Sequence, residues 1–235
     1  MSYFILLSTR IALIGISGAG KSTIGNTLLG RKKFETSPAA ESVTLKCDTA
    51  EAVLESGRKI KVADTPGVYD TENVHMVDEV IKFLEFLSPG PHAFLIVLTP
   101  NRISKRDVNI LDEVQTLFRD DPLFFRFAIL VFVRKSDIIG DYGCSEDIHE
   151  YIKDHTNRDI LNLYEKCGER AIAVENRQPW EGRNVEAIEI MKEIDKLDGV
   201  YFHELFDRAI QNEELRSKVT YLKKKSETKN MCLIS

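Results

Sequence analysis

One octapeptide constrains the fold of this chain more than any other stretch: Gly15-Ile16-Ser17-Gly18-Ala19-Gly20-Lys21-Ser22. It follows the apolar run Ile11-Ala12-Leu13-Ile14 and precedes Thr23-Ile24-Gly25-Asn26-Thr27-Leu28-Leu29, whose apolar residues have helical spacing. Strand, glycine loop and helix, in that order, turn GxxxxGK[ST] from an ordinary turn into a phosphate site. Gly15, Gly18 and Gly20 let the backbone curl, so that successive N–H groups from Ser17 through Ala19 to Thr23 can point at one anion. The helix N-terminus adds about half a positive charge behind that cradle. Lys21 can reach the β- and γ-phosphates, and the Ser22 hydroxyl can ligate Mg2+. The stretch reads as a nucleoside-triphosphate loop.

The chain has 235 residues, room for one α/β domain and an appendage. A net charge of −5 gives no reason to expect nucleic acid as a partner. Cys47, Cys144, Cys167 and Cys232 have no CxxC or Cys/His ligand spacing and read as free thiols of a reducing compartment. The apolar run Tyr3-Phe4-Ile5-Leu6-Leu7 is too short for a membrane span or signal-peptide core, and Ser2 excludes N-myristoylation. A cytoplasmic body is the expectation.

Further along, Ala52-Val53-Leu54 and Ile60-Lys61-Val62-Ala63 flank Glu55-Ser56-Gly57-Arg58, a hairpin pattern. The second strand runs into Asp64-Thr65-Pro66-Gly67. An acid at a strand's end beside a phosphate loop is placed to hold Mg2+, and Gly67 can bring its N–H close to a γ-phosphate. Alone, DTPG would be a β-turn; after GxxxxGKS it reads as the second half of a triphosphate switch. Residues 74–87 and 108–118 have helical periodicity. Phe94-Leu95-Ile96-Val97-Leu98 and residues 127–133 are continuous apolar runs, the mark of parallel strands buried on both faces. The alternation predicts an α/β, doubly wound, mainly parallel sheet with ligands at the strand C-termini.

Arg134-Lys135-Ser136-Asp137 is a charged loop at the end of one such strand, where a base pocket would lie. Guanine presents two adjacent donors, N1–H and the 2-amino group, and a desolvated Asp137 carboxylate can accept both. Adenine has an acceptor at N1 and would be repelled, and such a site rejects a mismatch because buried groups are left unpaired. The Lys135 stem can lie along the base plane. After the strand Ala171-Ile172-Ala173-Val174 come Glu175 and Asn176, and the Asn176 amide either contacts the base O6 or N7 or caps the turn before Pro179. Trp180 reads as packing, with stacking beside a nucleotide pocket left open, and Val185, Ile188, Met191, Ile194 and Leu197 read as a core-facing helix stripe. From Gly199 the pattern changes to an amphipathic helix followed by Lys223-Lys224-Lys225, Lys229 and the terminal Cys232-Leu233-Ile234-Ser235. This sets a G domain at 9–198 apart from an extension at 199–235.

GxxxxGKS, Thr44, DTPG and RKSD together make a guanine-nucleotide switch protein. The chain resembles the GTPases of immunity-associated proteins (the GIMAP, AIG-type or immune-associated nucleotide-binding family). The likeness is carried by SVTLKC at 42–47, DTPGVYDT at 64–71, LSPGPHAFLIVL at 87–98, RKSD, and AVEN at 173–176. It implies a P-loop GTPase domain of septin- and dynamin-like logic that binds GTP or GDP with Mg2+. It further implies a homodimer or oligomer formed across the nucleotide face, C-terminal helices and membrane attachment, and it makes Glu175-Asn176 the last base-binding turn. Thr99-Pro100-Asn101 departs from the family's usual sequence there.

Thr44 is the candidate for closing on Mg2+ and the γ-phosphate, against a plain strand threonine. Val68 stands where Ras-like proteins carry a water-orienting Gln, so a lone chain should hydrolyse GTP slowly. Arg102 resembles a family arginine proposed to act across a dimer; the competing reading is a surface charge. Cys-Leu-Ile-Ser is a C-a-a-X box that favours a farnesyl group, with Lys223–Lys225 as the second membrane signal, or else a chance terminal cysteine. A GTPase cycling at a membrane, a non-hydrolysing GTP-gated scaffold, and a P-loop kinase with no use for RKSD are the function classes left open.

Overall fold

A computed structural model describes residues 8–36, 47–65, 83–100, 121–142, 147–208 and 211. Six strands form one sheet: β1 (Thr9–Ile14), β2 (Asp48–Val53), β3 (Lys59–Asp64), β4 (Ala93–Leu98), β5 (Ala128–Val133) and β6 (Ala171–Val174). Their order is β2-β3-β1-β4-β5-β6, with β2 antiparallel to β3 and every other pair parallel. The helices are α1 (Lys21–Leu29), α2 (Lys135–Tyr142), α3 (Ile148–His155), α4 (Arg158–Lys166) and α5 (Trp180–Asp195). This is the doubly wound sheet the apolar runs predict.

Every residue of β1, β4 and β5 is buried, because helices cover both faces. Alternate side chains feed two cores. Ile11, Leu13, Val62, Leu95, Val97 and Val131 pack with Ile24 and Leu28 of α1 and with Ile190, Met191 and Ile194 of α5. Ala12, Ile14, Phe94, Ile96, Leu130 and Phe132 pack with residues 83–87, which are helical, and with Tyr151, Ile160 and Leu163. Tyr201 and Phe206, beyond Gly199, are fully buried in that second core, with Tyr201 edge-on to Phe94. Tyr201 therefore shares one core with Phe94 of β4 and with Phe124 and Phe127.

Two readings of side chains need correction. The stripe faces the core at Met191 and Ile194, and at half-buried Leu197 just beyond α5, while Val185 and Ile188 are exposed. The buried face runs through Ile190, Met191 and Ile194, because α5 touches α1 with its C-terminal half. Trp180 is exposed, and its ring is covered by the Arg183 guanidinium at 4.5 Å rather than packed in the core.

The segment Leu87–His92 is fixed to β1 by paired bonds. The Arg10 backbone N–H donates to His92 Nδ1 at 3.0 Å, the His92 N–H donates to the Arg10 carbonyl at 2.8 Å, and Arg10 Nε donates to the Gly90 carbonyl at 2.6 Å. Burial, with Arg10 and Arg58 nearby, pushes His92 down to about 4, so the ring stays neutral and keeps Nδ1 as an acceptor.

Candidate functional site

Register brings the loops together. Leu13 lies opposite Asp64, Ile14 opposite Ile96, Leu98 opposite Phe132, and Val133 opposite Val174. The residues that follow these strands, Gly15, Thr65, Arg134 and Glu175, therefore leave the sheet at one edge. β1 sits where the chain switches sides, with β3 on one flank and β4 on the other. Parallel sheets place ligands in this crevice.

The glycine loop closes tightly over β4. A Cβ on Gly15, whose φ is 153°, would stand 2.6 Å from the Val97 carbonyl oxygen, so only glycine fits. The turn is closed by Ala19 N–H donating to the Ile16 carbonyl at 3.2 Å. Gly18 is exposed at its tip, Ser17 and Thr23 are half-buried, and Ala19 is buried in the core beneath it. Lys21 opens α1 and is only 5% exposed, with its ammonium donating to the Gly15 and Ile16 carbonyls at 2.9 and 3.0 Å. These two bonds hold the ammonium along the loop that should cradle the phosphates.

Ser22 and Asp64 meet at the next position. Ser22 Oγ donates to Asp64 Oδ2 at 2.5 Å, while Asp64 Oδ1 is buried with no hydrogen-bond partner among the described residues. A buried carboxylate oxygen left unpaired is costly unless a cation completes it. Magnesium takes oxygen ligands from one or two protein side chains together with substrate phosphates. A serine hydroxyl against an under-satisfied aspartate fits that demand. Thr65 Oγ1 donates to the Leu13 carbonyl at 2.7 Å and ties the start of DTPG to β1.

Burial pushes the Asp64 carboxyl up to about 6; Asp48 adds to this, while Ser22 and Lys21 oppose it. A carboxyl raised in the folded state contributes stability below its unfolded value of 3.8 and loses it as pH rises through about 6. The metal-free protein should accordingly lose stability across that window, and Mg2+ should restore it at the upper end. Melting curves from pH 4 to 7 with and without Mg2+ test this, and Asp64→Asn should flatten the metal-free curve. A metal-free stability that rises with pH and is insensitive to Asp64→Asn would refute the assignment.

At the far side, Lys135-Ser136-Asp137 begins α2 rather than forming a loop, after Arg134 turns the chain with φ 58°. Asp137 keeps 21% of its side chain exposed, so it is less desolvated than the sequence suggests. Glu175 is engaged by its neighbours through both carboxylate oxygens. Its Oε2 accepts from Ser136 N–H and Oγ at 3.1 and 2.6 Å, and its Oε1 accepts from Arg177 N–H and Nε at 3.0 and 3.3 Å. Burial pushes Glu175 up, but these bonds outweigh it and hold the carboxyl below its usual range. Asn176 lies against the glycine loop: a Cβ on Gly20 would be 3.0 Å from its Nδ2, and its Oδ1 is buried with no partner among the described residues. That orphaned acceptor suits a ligand contact better than a turn cap.

Thr44, Gly67, Val68, Arg102, Lys223–Lys225, Lys229 and Cys232 lie outside the described residues. Sequence reasoning passed over Ser136 and Arg177. Arg177 Nη2 donates to both Ser136 Oγ, at 2.8 Å, and Asp137 Oδ1. The register of β5 beside β6 is the signal that could have found them, since it sets residues 134–137 next to 175–177.

Residues 9–225 match the family model described as the AIG1 family. Immune-associated nucleotide-binding protein 7 of Arabidopsis thaliana is 31% identical over 182 residues, covering 76% of this chain and 57% of that protein. GTPase IMAP family member 8 of Homo sapiens is 30% identical over 187 residues, covering 80% of this chain and 26% of that protein. The chain thus spans less than two thirds of the length of either relative. Among solved structures, Toc33 from Arabidopsis thaliana in complex with Mg2+ and GMPPNP superposes with a TM-score of 0.57 at 16% identity, over 83% of this chain and 88% of that one. A chloroplast translocon structure, described with the statement that dimerization is important for the GTPase activity of its components, gives 0.56 at 17% identity, over 81% and 82% of the two chains. At these identities the likeness concerns the fold, an α/β P-loop GTPase domain.

Proposed function

The chain belongs to the AIG1 family, and on that premise we propose that it binds GTP and GDP with Mg2+ and hydrolyses GTP. The observation that carries this reading is the Ser22–Asp64 pair with its orphaned carboxylate oxygen, set beside a glycine loop that admits no side chain at Gly15. In this reading the loop N–H groups and the Lys21 ammonium take the phosphates, and Ser22 and Asp64 take the metal. Bound there, Mg2+ supplies neutralisation of the charge that develops on the β- and γ-phosphate oxygens. Asp137 accepts the guanine N1–H and 2-amino group, the Lys135 stem lies along the base, and Asn176 offers its amide to the base edge. Glu175 positions Ser136 and, through it, the start of α2.

Turnover by a lone chain is slow in this account, because the Val68 side chain has no polar atom with which to align a water. A second subunit, meeting the first across the nucleotide face, supplies Arg102 to the equatorial phosphate oxygens, with Thr44 and Gly67 closing on the same phosphate. The dimerization described for the translocon GTPases supports this arrangement by analogy of fold. Action at the cytoplasmic side of a membrane belongs to the same proposal. In a chain ending at Ser235, Cys232 is the prenyl acceptor, and Lys223–Lys225 each add about 1 kcal/mol of attraction to an anionic leaflet.

The test is GTP turnover per subunit against protein concentration, using chain purified from eukaryotic cells, with and without anionic vesicles. The proposal predicts a rate that rises with concentration, rises further on vesicles, and loses both increases in Arg102→Ala. A rate that stays flat and near zero under every condition favours instead a GTP-gated scaffold, the reading to which Val68 lends support.

A further inference from the structure

We propose that Arg177 is an internal competitor for the carboxylate that reads the base, so that guanine binds Asp137 by displacing a guanidinium. This rests on the reading of Asp137 given above. Arg177 and the guanine edge present the same chemistry: adjacent, coplanar N–H donors on one carbon, the pattern that a carboxylate accepts in a fork. Arg177 Nη2 already donates to Asp137 Oδ1, and Arg134 Nη1 stands 3.9 Å from Asp137 Oδ2. Both oxygens that a base would use thus face a cation of the chain itself.

The contact is built to release. Only the backbone N–H of Arg177 holds Glu175 independently of the guanidinium, so the planar head can swing off Asp137, giving up Ser136 Oγ and the 3.3 Å Nε contact with it, while the backbone stays anchored. More than half of the Arg177 side chain is exposed, at 53%, and an exposed ion pair is weak. A neutral base inserting two donors can therefore win, but only against a standing opponent. The apparent affinity falls by the fraction of time Arg177 holds the carboxylate. The device sets how readily guanine nucleotides come and go, and leaves nucleotides with other bases untouched.

Titrations of GDP and of ADP, with Mg2+, into the native chain and into Arg177→Ala, Arg177→Gln, Asp137→Ala and Arg177→Ala/Asp137→Ala test the idea. Both single Arg177 variants should bind GDP about fivefold more tightly, with ADP unchanged. The gain should vanish when Asp137 is alanine. GDP binding that is unchanged or weaker in both Arg177 variants, with melting temperatures intact, would overturn the proposal and make Arg177 a support. A guanine preference that survives in Asp137→Ala would instead overturn the base reading itself, whatever Arg177 does.

Discussion

Replacing Lys21 by alanine should weaken GTP binding by roughly a thousandfold, the equivalent of losing two charge-assisted hydrogen bonds at about 2 kcal/mol each. The size of the effect follows from where the ammonium is held. Lys21 is nearly buried, and two loop carbonyls fix it along the cradle, so little ordering remains to be done when a phosphate arrives. A second consequence separates this from a general loss of fold. The Lys21 charge pulls the Asp64 carboxyl down against the effect of burial. Without it, Asp64 should titrate higher still, and Mg2+ should rescue stability only at higher pH than in the native chain. Isothermal titration with GTP and pH-resolved melting read the two effects separately. Lys21→Ala protein that melts normally and binds GTP with native affinity would remove the phosphate cradle from the account.

Asp137→Ala should cut the preference for guanine over adenine nucleotides by roughly two to three orders of magnitude, mostly through loss of guanine affinity. Two donors on the base lose their acceptor, while adenine, which never gained from Asp137, loses nothing. The phosphate end is far enough along the sheet edge to be spared: Ser22 lies in the helix after β1 and Asp64 ends β3, whereas Asp137 follows β5, on the far side of β4. Competition of GTP and ATP for a fluorescent triphosphate measures the ratio directly. Equal losses for both nucleotides would mean that Asp137 shapes the loop rather than reading the base.

The parts of the fold that could be read in advance are those where one residue's environment decides its identity. Phe94–Leu98 and Ala128–Val133 are strands buried on both faces, so an unbroken apolar run names them within a residue. The hairpin between β2 and β3 is equally legible, its turn closed by Leu54 N–H donating to the Arg58 carbonyl at 2.9 Å. The start of β2 was not, because it is an edge strand where only Ala50 is buried, and Asp48, Thr49 and Glu51 carry no apolar pattern. The α5 stripe misled because helical period gives a face but not which stretch of helix is covered, and only the half lying on α1 and the sheet is. Where the candidate site would lie was legible, since Gly15 through Ser22, Asp64 and Asp137 each belong to a motif of fixed spacing that follows or ends a strand of the sheet. Arg177 was not: its meaning lies in a neighbour forty residues back in sequence, brought alongside by the pairing of Val133 with Val174. Glu175 shows the same limit, since its bonds to Ser136 and Arg177 depend on that strand pairing and not on the sequence around it.

In the proposed function one sheet edge grips a guanine nucleotide at both ends, phosphates on the loop before α1 and base on the start of α2. Equilibrium binding of GTP and ATP to the purified chain in Mg2+ tests it most directly. GTP should bind at least about a hundredfold more tightly than ATP. Equal affinity for the two, or no binding of either, would contradict it.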